Sequence, residues 1–364
     1  MNIVSSFNAF ILCASTLFLS SCNKLNLTYD EKNNKKEESK TFAASSTVPY
    51  TQQLLPYGHY QWDEANAFVD DFEGSQIDTS IWGTDWPWGG RDIKNNDCKA
   101  GTMNPSASFY FPDQYTIANV VDDGVVKGVA NLKLKRLTGA NASTLANFSC
   151  PVLMLKEEHR KTKWGRYEIR LKFPVGASRG TWFNFWLGQY KADGSYVWPP
   201  EFDVGETLKD VWKTGTGEQM ALTHVFYKGS NGQPQNDPHP GNGNPSSNNF
   251  VLDWDTGVFV TLTFDLTPTS ATFYKNGVYL SELLPSTINT FEPTNLFGLI
   301  KYGVVRTSYN NAGLSGCNAS TCQNTEISGI NLDSFVESSL QVDYVKIIPP
   351  KYDANGQIMV NSTP

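Results

Sequence analysis

Hydrophobic and polar residues alternate along short segments of the chain, and Gly, Pro, Asn and Asp separate these segments. A period of two is typical of β-strands that bury one face. It predicts strands over 166–173, 181–187, 259–266, 271–275 and 340–348. Helix caps and helical periods are scarce between them, so the pattern favours an all-β sandwich or barrel.

Two short segments carry the signature of tight turns. Asn276-Gly277 directly follows the predicted strand 271–275, and Asn-Gly is the preferred pair of a two-residue β-hairpin. Asp122-Asp123-Gly124 has similar turn chemistry. Each is predicted to reverse the chain between antiparallel strands.

The N-terminus has the composition of an export signal. Phe7–Leu19 is an apolar run of signal-peptide length, too short to span a bilayer as a mature helix. The following Ser20-Ser21-Cys22 is similar to a bacterial lipobox, which predicts a signal over 1–22 and a lipid on Cys22. Because no Lys or Arg precedes Phe7, an ordinary secretory signal stays open. The expected location is the bacterial cell surface or outer membrane, otherwise secretion.

Composition divides the remaining chain. Residues 23–48 are polar and predict a flexible tether, 49–350 form the β domain, and 351–364 are expected to be a C-terminal tail. Within the domain, 230–249 is a long polar loop rich in Pro, Gly and Asn.

The charge balance limits the partners. The chain has 29 basic and 36 acidic residues and a formal net charge of −7. This opposes binding to nucleic acid, which requires a basic surface. We expect a monomer that contacts a membrane only through a lipid anchor.

The cysteines of the exported part predict disulfides and not a metal site. Cys98, Cys150, Cys317 and Cys322 form an even set, and of the three possible pairings we expect Cys317 with Cys322 and Cys98 with Cys150. Their spacing differs from zinc signatures. Phosphate-loop and zinc-protease motifs are missing from the sequence, so no cofactor is expected for catalysis.

The candidate chemistry lies in Glu201-Phe-Asp-Val-Gly-Glu206. On a strand, Glu201 and Asp203 share one face, whereas regular alternation would bury Glu206 beside Phe202, which is costly for a carboxylate. A β-bulge at Val204-Gly205, where Gly suits unusual dihedral angles, would return Glu206 to the acidic face.

Three carboxylates on one face suit the hydrolysis of a glycosidic bond. Glu201 would attack the anomeric carbon, Glu206 would act as acid and then base, and Asp203 would tune both. The alternative is a solvated acidic face without chemistry.

Further segments, in the same order along the chain, identify a resemblance. Residues 68–74, 163–170, 180–187 and 341–346, together with the acidic motif, resemble glycoside hydrolase family 16 in its bulged Glu-x-Asp-x-x-Glu form. The resemblance implies a concanavalin-like β-jelly-roll sandwich of two curved antiparallel sheets, with a glycan cleft. It implies Glu201 as nucleophile, Glu206 as acid/base and Asp203 as the assisting carboxylate. Gly205 and Asn184 depart from the family pattern, which has a larger apolar residue and Ala there.

The resemblance also suggests residues that contact substrate. Trp182, Asn184 and Trp186 share a strand face and, with Trp198, are expected to line the cleft, although packing alone would also explain the Trp residues. His224 resembles a groove histidine of the family, the alternative being a structural role.

Asp343 resembles a position that binds structural calcium in many relatives. Oxygen ligands suit that ion, but a hydrogen-bonding Asp is the alternative.

The predicted function is an endo-acting retaining β-glycosidase for a β-linked polysaccharide, with β-1,3 or mixed-linkage β-1,3/1,4-glucan first. A β-galactan substrate such as agar, carrageenan or host glycan is the second reading. A glycan-binding lectin on the same fold, and transglycosylation through the same covalent intermediate, also stay open.

Overall fold

The computed structural model describes a set of ranges that covers most of the β domain. These are residues 59–83, 114–136, 148–149, 151–156, 164–190, 196–210, 213, 216–228, 234–236, 249–252, 254–268, 270–282, 296–304 and 335–361. A single 3-10 turn lies at Glu64–Asn66 within these ranges, and all other regular elements there are strands. The strands in chain order are β1 Phe68–Asp70, β2 Trp82–Gly83, β3 Tyr115–Asp122, β4 Val125–Arg136, β5 Phe148–Ser149, β6 Val152–Leu155, β7 Gly165–Lys172, β8 Thr181–Tyr190, β9 Tyr196–Leu208, β10 Met220–Lys228, β11 Pro234–Asn236, β12 Asn249–Val251, β13 Phe259–Leu266, β14 Ala271–Lys275, β15 Val278–Glu282, β16 Leu296–Val304 and β17 Ser338–Ile348.

The strands form two antiparallel sheets. The nine-stranded sheet has the order β15-β14-β13-β7-β17-β4-β3, with β1 added to β17 and β5 to β4. The eight-stranded sheet has the order β11-β10-β9-β8-β16-β6-β2, with β12 added to β10. Neighbours such as β7 and β17 are far apart in sequence, as in a jelly roll. The all-β sandwich expected from the sequence is confirmed.

The alternating pattern located the strands closely. The predicted segments 259–266 and 271–275 coincide with β13 and β14, and the others overlap β7, β8 and β17. Both predicted turns are also confirmed. Asn276 and Gly277 have φ angles of 50° and 75°, and Asp123 and Gly124 have 49° and 79°, as required by a hairpin turn with two left-handed residues.

Aromatic side chains from both sheets fill the core. The rings of Phe202 on β9 and Phe264 on β13 lie 5.1 Å apart, and Phe264 lies 4.6 Å from Phe273 on β14. The odd-numbered residues Phe183 and Phe185 of β8 also enter this cluster. The face of the eight-stranded sheet that points away from the core, called the outer face below, therefore carries the other residues of each strand.

The first and last described segments are joined on the nine-stranded sheet. Tyr60 pairs with Val360, and Trp62 pairs with Pro350. The guanidinium of Arg166, on the side of β7 opposite the buried Tyr167 ring, lies 5.2 Å from the Trp62 ring centroid. Residues 351–361, which the sequence suggests as part of a separate tail, are thus hydrogen-bonded to the domain.

Several predictions concern residues outside the described ranges. These are the signal 1–22 with Cys22, the tether 23–48 and the four cysteines Cys98, Cys150, Cys317 and Cys322. Within 230–249, the described Pro234–Asn236 pairs with Phe226–Lys228 of β10. In the part of the chain that is described, no helix is long and apolar enough to cross a bilayer.

Candidate active site

The register between β8 and β9 shifts by one residue at the acidic motif. Phe185 pairs with Gly205, but Trp186 pairs with Asp203, so Val204 is the extra residue. The same irregularity appears against β10, where Leu222 pairs with Glu206 but His224 pairs with Asp203. The predicted β-bulge is therefore present, and it lies in the centre of the sheet between two hydrogen-bonded neighbours.

The bulge places the three carboxylates on the outer face. Phe202 and Val204 are both in the core cluster, whereas Glu201, Asp203 and Glu206 point the other way. Directly opposed residues of antiparallel strands share a face, and Asp203 and Glu206 lie opposite Trp186 and Asn184 of β8. The acidic side chains are nonetheless buried, with exposed fractions of 3%, 2% and 9% in chain order.

Gly205 is required for a reason that the sequence does not show. The sequence predicts unusual dihedral angles at Gly205, but its φ is not in the left-handed region. A Cβ atom on Gly205 would lie 2.6 Å from Cδ1 of Leu262, a fully buried residue of β13. The absence of a side chain thus lets the bulge approach the opposite sheet.

Three residues of β8 surround Glu206 and Asp203 on this face. Trp182 donates a hydrogen bond from Nε1 to Oε1 of Glu206 at 2.8 Å, and Nδ2 of Asn184 lies 3.4 Å from the same oxygen. The rings of Trp182 and Trp186 are 5.8 Å apart in an edge-to-face arrangement. Strand parity correctly grouped these side chains, but it did not reveal that two of them contact the carboxylate directly.

The protonation of Asp203 is strongly perturbed by its surroundings. Burial raises the pKa of Asp203 well above its ordinary value, and the nearby charges of Glu201 and then Glu206 raise it further. Its Oδ1 atom is buried and has no hydrogen-bond partner among the residues that the structure describes. Asp203 therefore retains a proton at pH values where an exposed Asp is ionised, and perturbation of this kind is typical of active sites.

Two further candidates are located only by their backbone. Trp198 lies on β9, three residues before Glu201, and His224 pairs with Asp203 from the neighbouring strand β10. Their side chains fall outside the described part of the chain. Their roles in substrate binding stay predictions.

The surroundings of Asp343 bear on the predicted calcium site. Oδ2 of Asp343 accepts a hydrogen bond from Arg170 and lies 3.6 Å from Nζ of Lys127. Both cations also contact Asp122, at 2.8 and 2.9 Å. Among the described residues no group of three acidic, His or Cys side chains is arranged to hold a metal. This alternation of two cations and two carboxylates does not favour a divalent cation. The calcium ion suggested by the resemblance is untested, and from these contacts we expect the domain to be stable without it.

Comparison with known proteins supports the fold. No family model matches the chain, and no curated protein matches it by sequence. The solved structure of LamAcat from Zobellia galactanivorans is similar, with 16% identity, a TM-score of 0.50 and coverage of 80% of this chain and 98% of that one. A glycoside hydrolase family 16 endo-glucanase from Bacteroides ovatus, in complex with G4G3G-2F-DNP, is 18% identical with a TM-score of 0.51, covering 77% and 99%. The chain therefore has the β-jelly-roll fold of glycoside hydrolase family 16.

Proposed function

We propose that this protein is an endo-acting retaining glycoside hydrolase that cleaves a β-glucan with β-1,3 or mixed β-1,3/1,4 linkages. The observation that carries the proposal is the register shift at Val204, which brings Glu206 to the same face as Glu201 and Asp203. Without this shift, one of the two glutamates would point into the core.

The proposed reaction is a double displacement. The ionised Glu201 attacks the anomeric carbon, and Glu206 transfers its proton to the departing glycosidic oxygen, so that a covalent glycosyl-enzyme forms and one sugar chain leaves. Glu206 then removes a proton from water, which attacks the same carbon and releases Glu201. Both displacements invert the anomeric centre, and the net result is retention.

Asp203 assists by remaining neutral. Because its pKa is raised well above the ordinary value, a proton on Asp203 avoids a second negative charge beside the ionised Glu201 while Glu206 holds its own proton. The charges of Glu201 and Glu206 thus influence how readily Asp203 loses its proton. The proposed steps use these carboxyl groups and water.

The proposed substrate rests on the aromatic residues and on the structural neighbours. Indole rings such as those of Trp182 and Trp186 pack on the apolar faces of sugars. A family 16 protein of the Bacteroides ovatus mixed linkage glucan PUL was solved in complex with G4G4G3G product, and LamA with laminaritriose and laminaritetraose. A β-galactan is the second substrate class to test.

A panel of purified β-glucans and β-galactans tests the proposal. We expect internal cleavage of a β-1,3 or mixed-linkage glucan into oligosaccharides whose new ends first appear as the β anomer in proton NMR. Glu201→Gln should lower turnover by roughly 10³-fold or more, as expected for an essential carboxylate. Glu337→Gln, on an exposed ion pair with Lys133, is the matched control and should retain activity.

The panel also separates the alternatives. Binding without release of sugar would favour a lectin, and cleavage of galactans alone would replace the substrate class. Products longer than the starting chain, formed when acceptor sugar is added, would indicate transglycosylation. Full turnover by Glu201→Gln would refute the assignment of the nucleophile.

We propose in addition that the protein is exported and held at a bacterial surface by a lipid on Cys22. The support is the apolar segment Phe7–Leu19 followed by the lipobox-like residues. Expression with a radiolabelled fatty acid should label the wild type and leave Cys22→Ser unlabelled. Equal release of both proteins into the medium would contradict the anchor.

A further inference from the structure

Asn184 is a buried amide at the position of the site where the family pattern has Ala. It lies on β8 directly opposite Glu206, between Trp182 and Trp186, and its side chain is fully buried. Its Oδ1 atom has no hydrogen-bond partner within the structure described. A buried amide oxygen without a partner is unfavourable for folding, so the gain from this residue must lie elsewhere.

The favourable interaction of Asn184 is its contact with the carboxyl group of Glu206. Nδ2 of Asn184 lies 3.4 Å from Oε1 of Glu206, and Nε1 of Trp182 lies 2.8 Å from the same atom. Both nitrogens are donors only, and a carboxyl oxygen has two lone pairs to offer. Oε1 is therefore occupied by two N–H groups, and a hydrogen atom on Oε1 would meet both of them.

We propose that Asn184 is a positioning residue that, together with Trp182, reserves Oε2 of Glu206 for the transferable proton. This inference rests on the proposed function, because it concerns how Glu206 acts as the acid. In the protonated state, the two donors exclude the tautomer with hydrogen on Oε1, so that every protonated molecule carries the proton on the same oxygen. After transfer, the same donors stabilise the carboxylate that forms.

The long distance of the Asn184 contact agrees with this role. Catalytic hydrogen bonds in unliganded sites are often longer than in the complex and shorten as charge develops. Because negative charge on Glu206 grows during proton transfer, the Asn184 interaction strengthens in the transition state, and transition-state interactions change turnover more than substrate affinity.

The test compares two substrates that differ in their need for an acid. One is the β-glucan that the wild type cleaves, whose leaving group must be protonated. The other is a 2,4-dinitrophenyl β-glycoside of the matching oligosaccharide, whose leaving group departs as a stable anion. For both, kcat/KM reports the step that forms the glycosyl-enzyme.

We expect Asn184→Leu, which keeps the approximate shape and removes the donor, to lower kcat/KM on the glucan by about tenfold, a part of the factor that general acid catalysis supplies. The KM should change little, and kcat/KM on the dinitrophenyl substrate should stay within about twofold of the wild type. Thermal unfolding should show no loss of stability, since the unpaired oxygen is also removed.

Two other variants complete the test. Asn184→Ala removes the donor without added bulk and decides the matter if Leu disturbs folding. Asn131→Leu is the matched control, because Asn131 is an amide of β4 on the other sheet that bonds Gln341. It should leave both activities unchanged.

An equal loss on both substrates would show a structural role and overturn the inference, as would no loss on either. In those cases the wild type still cleaves glucan, so the proposed function stands. If the wild type releases no sugar from any polysaccharide or from the dinitrophenyl substrate, the proposed function fails and this inference fails with it.

Discussion

Gly205 and Leu262 meet across the two sheets, at a point where a single methyl group on Gly205 would lie 2.6 Å from Cδ1 of Leu262. Gly205 belongs to the bulge that turns Glu206 to the outer face, and Leu262 is at the centre of β13. The shape of the core on one side of the sheet thus controls the placement of the carboxylates on the other side.

Gly205→Ala should therefore be destabilising. We expect a loss of about 1–3 kcal/mol in the free energy of unfolding, which is typical of overpacking a dense core. Urea denaturation measures it. Gly83→Ala is the control, because a Cβ there would make ordinary contacts at 3.6 and 3.7 Å.

The same relationship predicts coupling between the two positions. Leu262→Ala removes Cδ1, the atom with which the new methyl group at position 205 would collide. In the Leu262→Ala background, Gly205→Ala should therefore lower the free energy of unfolding by less than about 1 kcal/mol. A double-mutant cycle gives the coupling energy. Equal costs in both backgrounds would show that Leu262 is not the obstacle.

Asp203→Asn should raise stability while it lowers activity, and the gain should depend on pH. In the folded protein the pKa of Asp203 is well above its ordinary value of 3.8. Below the unfolded pKa both states are protonated and the group has no effect on stability. As the pH rises above the unfolded pKa, ionisation increasingly favours the unfolded chain, and the penalty reaches its full value above the folded pKa. Asn removes this penalty.

Thermal unfolding at two pH values checks the sign of the stability difference between Asp203→Asn and the wild type. The variant should unfold at a higher temperature than the wild type near about pH 7, and the difference should vanish toward about pH 3. Glycan cleavage should fall in the same variant. A stability difference that is constant with pH would show that burial does not shift the protonation of Asp203.

Wild-type stability should be independent of calcium. Arg170 and Lys127 already neutralise Asp343 and Asp122, so neither a chelator nor added calcium should change the thermal midpoint. Arg170→Gln should lower stability by about 1–3 kcal/mol, because Lys127 is then the only cation of this cluster that compensates the two partly buried carboxylates. A midpoint that falls in chelator for the wild type would instead support a calcium ion at this face.

Removing one partner of the ion pair between Arg166 and Asp265 should lower the free energy of unfolding strongly. Nε of Arg166 lies 2.7 Å from Oδ1 of Asp265, and both side chains are buried. Arg166→Met leaves a buried charge, and we expect a loss of about 3–5 kcal/mol. The double variant Arg166→Met, Asp265→Leu should recover most of it in denaturation experiments.

The strands and turns were predictable because their signals are local. Alternation defined β13 and β14 to the residue, and Asn276-Gly277 predicted its turn because few other residues accept positive φ at both positions. The bulge was predictable on energetic grounds, because a regular strand would have buried Glu206 in the core.

The remaining features depend on partners that are distant in sequence. Leu262 lies more than 50 residues after Gly205, and nothing in either segment indicates that they meet. The hydrogen bonds from Trp182 and Asn184 to Glu206 depend on the register of β8 against β9, which parity alone does not fix. The contacts of Asp343 with Arg170 and Lys127 likewise follow from strand order.

The pairing of Tyr60 with Val360 bears on how the protein could be immobilised. Trp62, beside this pair, packs over Arg166 on the exterior of the nine-stranded sheet, and the carboxylates are on the opposite side of the sandwich. A resin or particle joined at His59 itself would thus lie on the side of the sandwich away from the carboxylates. A long insoluble polymer could then reach the outer face of the eight-stranded sheet without colliding with the support that holds the protein.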